Sequence, residues 1–257
     1  MTIHSVSRAV LAVFIQLFAA AGCAADLKVM TSGAFTAAYL KLVPEFERMT
    51  GDKVTTGFGA SMGDSPTSIP NRVRRGEQVD VVILASISLE QLIEDGKVIR
   101  DSRVDLVRSK IGVAVRSGAA KPDIGSVQAL KRALLQAKSI AYSESASGVY
   151  VSTELFQKLG IADDVLPKSK RFGMVGPPVA SGEAEIGFQQ ISELLPVPGI
   201  EYIGPLPDEI QKVTIFSGGV GTSSKNDAAA RALLRFLASP SAAKIIAQTG
   251  LEPVANH

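Results

Sequence analysis

The chain has 257 residues, 27 Lys+Arg against 25 Asp+Glu, 46% hydrophobic residues, one cysteine and no tryptophan. That is enough chain for one large domain or two lobes with proper cores, and the near balance of charge gives no footprint for nucleic acid or a polybasic membrane contact. A lone cysteine excludes an internal disulfide and a Cys-rich zinc site. His4 and His257, at the two ends, leave the body of the chain without a histidine base or a His-ligated metal.

Residues 1–25 read as a secretory signal: Arg8 is a short positive region, an apolar run follows from Ala9 to Gly22, and small residues come next. Such a run is short for a membrane span, and Asp26 with Lys28 closes it. Cleavage near Ala24 or Ala25 leaves 26 basic against 25 acidic residues. Cys23 follows Gly22 and offers a lipidation point, but Ala20 stands where a strong lipoprotein signal has leucine. A soluble periplasmic protein is therefore expected, with no cofactor, no metal and a monomeric state.

Leu27 to Thr31 is a short apolar strand ended by the turn 31–35. Phe35, Tyr39, Leu42, Phe46 and Met49 recur at helical steps, with Gly51 as the C-terminal cap and Pro44 expected to kink or split the helix. Lys53 to Phe58 is a strand and 59–63 (GASMG) a glycine-bounded loop. A helix around Ile69 to Arg75, the strand 79–84 and a helix near Leu89 to Glu94, stopped by Gly96, come next. Strand 111–115 precedes a helix from the N-cap Ser126 to about Ala137. Strand 139–143 leads through 144–148 (ESASG) into a helix from about Val149 to Leu159. Then come a short helix from Pro177 to Gly182, the strand 185–188, the polar turn Gln189-Gln190, and the run 213–221. Helices at Asp227 to Leu237 and around Ser241 to Gln248 end the chain. The alternation predicts an α/β protein with parallel sheet covered on both faces. Two extended segments, near Leu106 to Val113 and Lys212 to Gly218, suit crossings between lobes. One lobe is then 26–108 with 217–257, and the other 109–216, with a cleft at the carboxyl ends of strands.

Four strand-to-helix turns are rich in hydroxyls, amides and glycine: Thr31-Ser32-Gly33, 59–63, 143–148, and Gln189 to Ser192. Each either simply caps a helix or offers N–H and O–H donors to an anion, and the anion reading draws its strength from all four lying on one edge. Competing motifs fail. No Walker-type phosphate loop is present, and 57–62 (GFGASM) begins a dinucleotide fingerprint but ends in Met62. A serine triad lacks its histidine, the carboxylates show no calcium-loop spacing, and no aromatic platform for sugars or bases is evident.

These residues resemble the periplasmic molybdate-binding proteins, within the wider type II solute-binding proteins. The likeness runs over almost the whole mature chain. It includes Thr31-Ser32, the loop Gly59 to Gly63, 74–83 (RRGEQVDVVI), 179–188 (VASGEAEIGF) and 231–253. It implies the two-lobed type II binding-protein fold, closing over an oxyanion, with Ser32 and Ser61 matching the family's two ligand serines. Two blocks depart from the pattern. The loop 143–148 lacks the family's proline, and Gln189-Gln190 stands where the family has tyrosine. The altered blocks 139–150 and 187–200 resemble a branch that includes a periplasmic aconitate isomerase. That resemblance implies cofactor-free allylic proton transfer interconverting the small tricarboxylates cis- and trans-aconitate, and the donor-rich turns add Ser145, Ser147 and Gln190 to Ser32 and Ser61 as the residues expected to bind the substrate. The alternative is the non-catalytic binding subunit of an ABC importer, delivering a carboxylate or oxyanion to a permease.

An isomerase of this kind needs a base from Glu, Asp, Tyr or Lys. Glu144, in an anion-binding loop, is the pointed candidate, because a carboxylate there repels an anion unless it exchanges a proton with it. Pointing to solvent or capping the next helix is its other reading. Tyr142 and Tyr150 are alternates that also suit packing. Arg72, Arg74 and Arg75 are able to grip carboxylates, or form a solvated helix face with Glu77 and Asp80.

Overall fold

The structure, a computed structural model, describes residues 24–254. The expected signal segment up to residue 23, with Cys23, lies outside the described residues. The first sheet begins with β1 (Asp26–Ser32), α1 (Gly33–Thr50) and β2 (Lys53–Gly59), then α2 (Ile69–Arg74), β3 (Val81–Ala85), α3 (Ser86–Glu94) and β4 (Val104–Ser109). The chain then crosses into a second sheet. It makes β5 (Ile111–Arg116), α4 (Val127–Gln136), β6 (Ile140–Ser143) and α5 (Ala146–Tyr150), a π-helical turn at Val151–Leu155, α6 (Phe156–Lys158) and α7 (Ala162–Val165). β7 (Ser169–Phe172), α8 (Gly176–Ser181), β8 (Ile186–Gln190), α9 (Ile191–Leu194) and β9 (Ile200–Pro205) complete that part. The chain returns through β10 (Thr214–Val220), α10 (Asp227–Leu237), α11 (Pro240–Ala247) and β11 (Glu252–Pro253).

The two sheets have orders β11-β4-β10-β3-β1-β2 and β7-β6-β8-β5-β9. They are mixed, not wholly parallel. β1 pairs β2 and β3 in parallel and β6 pairs β7 and β8 in parallel, whereas β10 runs antiparallel to β3 and β4, and β5 to β8 and β9. β5 and β10 are the strands by which the chain enters and leaves the second sheet's part of the fold, and the C-terminal β11 adds a further antiparallel pair with β4.

Helix α1 shows why the local sequence folds as it does. Phe35, Tyr39, Leu42 and Phe46 are buried on one face, each worth about 1.5–3 kcal/mol. Gly51 ends the helix at φ 81°, donating its N–H to the Glu47 carbonyl at 2.9 Å. Two details differ from the periodicity. Met49 is 60% exposed, and Pro44 sits inside one continuous helix instead of splitting it. Pro44 lies on an exposed part of the helix, where its missing N–H takes the helical partner from the Leu40 carbonyl. Elsewhere the Ser126 hydroxyl accepts from the Ala129 N–H at 3.2 Å as the expected cap. Gln189 and Gln190 are the last residues of β8, not a turn beyond it.

Hydrogen bonds tie the two sheets together near their facing edges. The Ser61 N–H donates to Ser145 Oγ at 3.1 Å, Ser192 Oγ donates to the Ala34 carbonyl at 2.7 Å, and Ser109 Oγ donates to Gln190 Oε1 at 2.7 Å.

Candidate functional site

A cavity of about 780 Å³ opens between the two sheets, in the size range of organic-ligand sites. Its walls come from the start of α1, the end of β2 with the loop after it, the turns after β6 and β7, and α9 with the prolines that follow. All four turns expected from the sequence converge on this region. In register, Ser32 at the end of β1 stands beside Gly59 at the end of β2. The β8 end reaches the α1 start through the Ser192–Ala34 bond.

Three of the expected binding residues hold unspent hydrogen-bonding capacity. Ser32 Oγ, Ser61 Oγ and Gln190 Nε2 are buried with no protein partner. A buried, unpaired polar group costs about 1–3 kcal/mol; these three adjoin in sequence the cavity-lining Gly33, Ala60 and Gln189, where an anionic ligand would account for them, while a fourth such atom, Ser68 Oγ, lies at the start of α2. Ser32 stands at the N-cap of the 18-residue α1 without its side chain capping the first N–H groups, an arrangement that favours an anion there. Ser145 lines the cavity and accepts the Ser61 N–H. Ser147 is buried and shares a hydrogen bond with the Ser143 hydroxyl at 2.8 Å, inside the turn. Apolar side chains, including Leu40, Phe58, Met174 and Val197, line other parts of the wall, which suits an anion with a carbon skeleton.

Glu144 lines the cavity as expected, and its backbone N–H donates to the Phe172 carbonyl at 2.9 Å. No hydrogen bond from the described residues reaches its carboxylate. The alternate bases are taken up elsewhere. The buried Tyr150 hydroxyl donates to the Ile210 carbonyl at 2.7 Å, and Tyr142 packs partly buried against the second sheet's core. The arginines are likewise committed. Arg72 pairs with Glu77 at 2.5 Å, Arg74 with Asp95 at 2.8 Å, and Arg75 donates to the Pro66 carbonyl at 2.6 Å.

Sequence reasoning did not single out Glu193, although it falls in the divergent block 187–200. Its side chain lines the cavity and lies against Gly33, whose missing Cβ leaves the space it fills. Oε1 accepts from Gln189 Nε2 at 2.9 Å, and Gln189 Oε1 in turn accepts the Val175 N–H at 2.9 Å. That second bond fixes the amide so that only its NH2 faces the carboxylate. Burial pushes the Glu193 carboxyl up from 4.5 to about 7, against the opposing effect of the Gln189 hydrogen bond. Among the described residues no cluster of three metal-ligating side chains occurs, and no helix is long and apolar enough to cross a membrane.

A family model described as bacterial extracellular solute-binding protein matches residues 27–252. An aconitate isomerase from Pseudomonas sp is 46% identical over 230 residues, covering 89% of this chain and 88% of its own. A molybdate-binding protein from Azotobacter vinelandii is 27% identical over 256 residues, covering 96% of this chain and 97% of its own. The solved periplasmic molybdate-binding protein of Azotobacter vinelandii superposes with a TM-score of 0.68 at 23% identity, over 90% of this chain and 100% of that one, a likeness of fold.

Proposed function

The chain belongs to the bacterial extracellular solute-binding protein family, and from that premise we propose that it is an isomerase interconverting cis- and trans-aconitate without a cofactor. The observation that carries this reading is the extended identity with the Pseudomonas aconitate isomerase. The cavity supports it. Unpaired donors at Ser32, Ser61 and Gln190, together with the start of α1, suit the substrate's carboxylates. The apolar stretch of wall suits its carbon chain.

In this reading Ser145 helps close the ligand in, and Ser147 holds the turn that carries Ser145. The lobes 26–108 with 217–257, and 109–216, close over the substrate. The protein works as a periplasmic monomer once residues 1–25 are removed. Isomerisation proceeds by loss of an acidic proton from the substrate's CH2 and its return at the other end of the allylic unit. Preorganised N–H and O–H donors stabilise the charge that builds on the flanking carboxylate.

The test is proton NMR of cis-aconitate with the purified mature protein in D2O. Enzyme-dependent growth of trans-aconitate, with deuterium entering the product, is the expected result. Binding of aconitate or another anion with no conversion would return the protein to the non-catalytic subunits of ABC importers.

A further inference from the structure

We propose that Glu193, not Glu144, is the group that carries the proton between the two ends of the substrate's allylic unit. This rests on the isomerase reading above and deepens it. The two carboxyls lining the cavity differ in how they are held. Glu144 lies in the turn after β6, and its carboxylate has no hydrogen-bond partner among the described residues. Glu193 is held on two sides. Gln189, itself fixed by the Val175 N–H, donates to Oε1, and the backbone of Gly33 backs the same carboxyl at the start of α1. Oε2 has no partner among the described residues, so a base lone pair is left for the substrate on an otherwise immobilised group. A proton carrier gains from such fixation, because misplacement by about 1 Å costs on the order of 100-fold in rate.

One carboxylate is sufficient for the whole reaction. Glu193 takes the proton from the substrate's CH2: a C–H bond breaks and an O–H bond forms. The electron pair spreads over the three-carbon unit and into its carboxylates. The new O–H bond then breaks as the proton is delivered to the carbon that was vinylic, and the double bond has moved by one position. No electron is gained or lost, and Glu193 ends as it began. Whether the new double bond is cis or trans is set by the conformation in which the cavity holds the carbon that loses its proton. A proton affinity raised towards neutrality by burial fits a group that must both take and return the proton.

The test compares wild type, Glu193→Gln, Glu193→Asp and Glu144→Gln by conversion of cis-aconitate in D2O, by the pH profile of kcat/KM, and by calorimetric binding of tricarballylate, the saturated analogue. Glu193→Gln is expected to lose conversion by about 100- to 10,000-fold while binding tricarballylate within a few-fold of wild type. Glu193→Asp is expected to retain measurable turnover with a displaced acid limb. Glu144→Gln is expected to keep the acid limb where wild type has it, whatever it costs in rate. Persistent turnover in Glu193→Gln with the limb intact overturns the assignment, as does loss of tricarballylate binding in step with turnover. A wild-type protein that converts no aconitate overturns the functional reading itself, and this inference with it.

Discussion

Replacing Gly33 with alanine tests the positioning of Glu193. A Cβ at position 33 would overlap Glu193 Oε1 and stand 2.7 Å from its Cδ. Ordinary carbon contacts begin near 3.5 Å, so the carboxyl must retreat by about 1 Å or more. The 2.9 Å bond from Gln189 is then lost, a charge-assisted bond worth about 1.5–3 kcal/mol. The obstructing atoms are the far end of a side chain, so the backbone need not move, and alanine at the first helical residue adds up to about 1 kcal/mol of stability over glycine. The net cost is therefore about 0.5–3 kcal/mol, a lowered melting temperature in a protein that still folds, while conversion of cis-aconitate falls by about 100-fold. The displaced carboxyl is also better hydrated, so the acid limb of the pH profile should move from near 7 towards the ordinary value of 4.5. Conversion within twofold of wild type, with an unmoved limb, would refute the idea that Gly33 seats the carboxyl.

The remaining predictions concern pH, the unpaired donors and a packing tyrosine. In wild type, kcat/KM should fall as pH drops through about 7, since Glu193 must be ionised to take a proton in either direction; a flat profile between pH 5 and 8 would contradict this. A carboxyl whose folded value of about 7 exceeds the ordinary 4.5 binds more protons folded than unfolded, so stability decreases as pH rises through that window. Glu193→Gln should thus be more stable than wild type at pH 8, by about 1–3 kcal/mol, with the gap closing near pH 4.5, as measured by urea unfolding at both pH values. Ser61→Ala removes a buried hydroxyl that has no protein partner. Stability should hold or rise by about 1 kcal/mol, while tricarballylate affinity drops about tenfold in calorimetry. Tyr150→Phe loses the buried bond to the Ile210 carbonyl. It should cost about 1–2 kcal/mol in unfolding and leave turnover unchanged, and a large loss of turnover would reopen the tyrosine as a base.

The alternating elements were legible because their signals are local. The apolar steps of α1, the glycine at 51, the serine cap at 126 and the bounds of α10 all follow from residues within one or two turns of each other. The short strands β7 and β9 escaped notice. They are mostly half-buried or exposed at the edges of their sheet, so no run of apolar residues announces them. At the site, the donor-rich turns could be read from composition, and Ser32, Ser61 and Gln190 do carry unpaired groups. Glu193 could not be read in the same way. It lies on a four-residue helix without periodicity, and it is seated by Gly33 and by a Gln189 that Val175 fixes, partners brought together only in the fold.

Because the Glu193 carboxyl fills the room where a side chain at position 33 would stand, the two positions share one volume and cannot vary independently. A glutamate seated as it is here requires glycine at 33, and a larger residue at 33 unseats it. Among chains of this fold, that pair of letters should sort proton-moving proteins from carriers. An alignment that looks at either position alone would miss the distinction, since glycine at a helix start is unremarkable and glutamate on a short helix is commonplace.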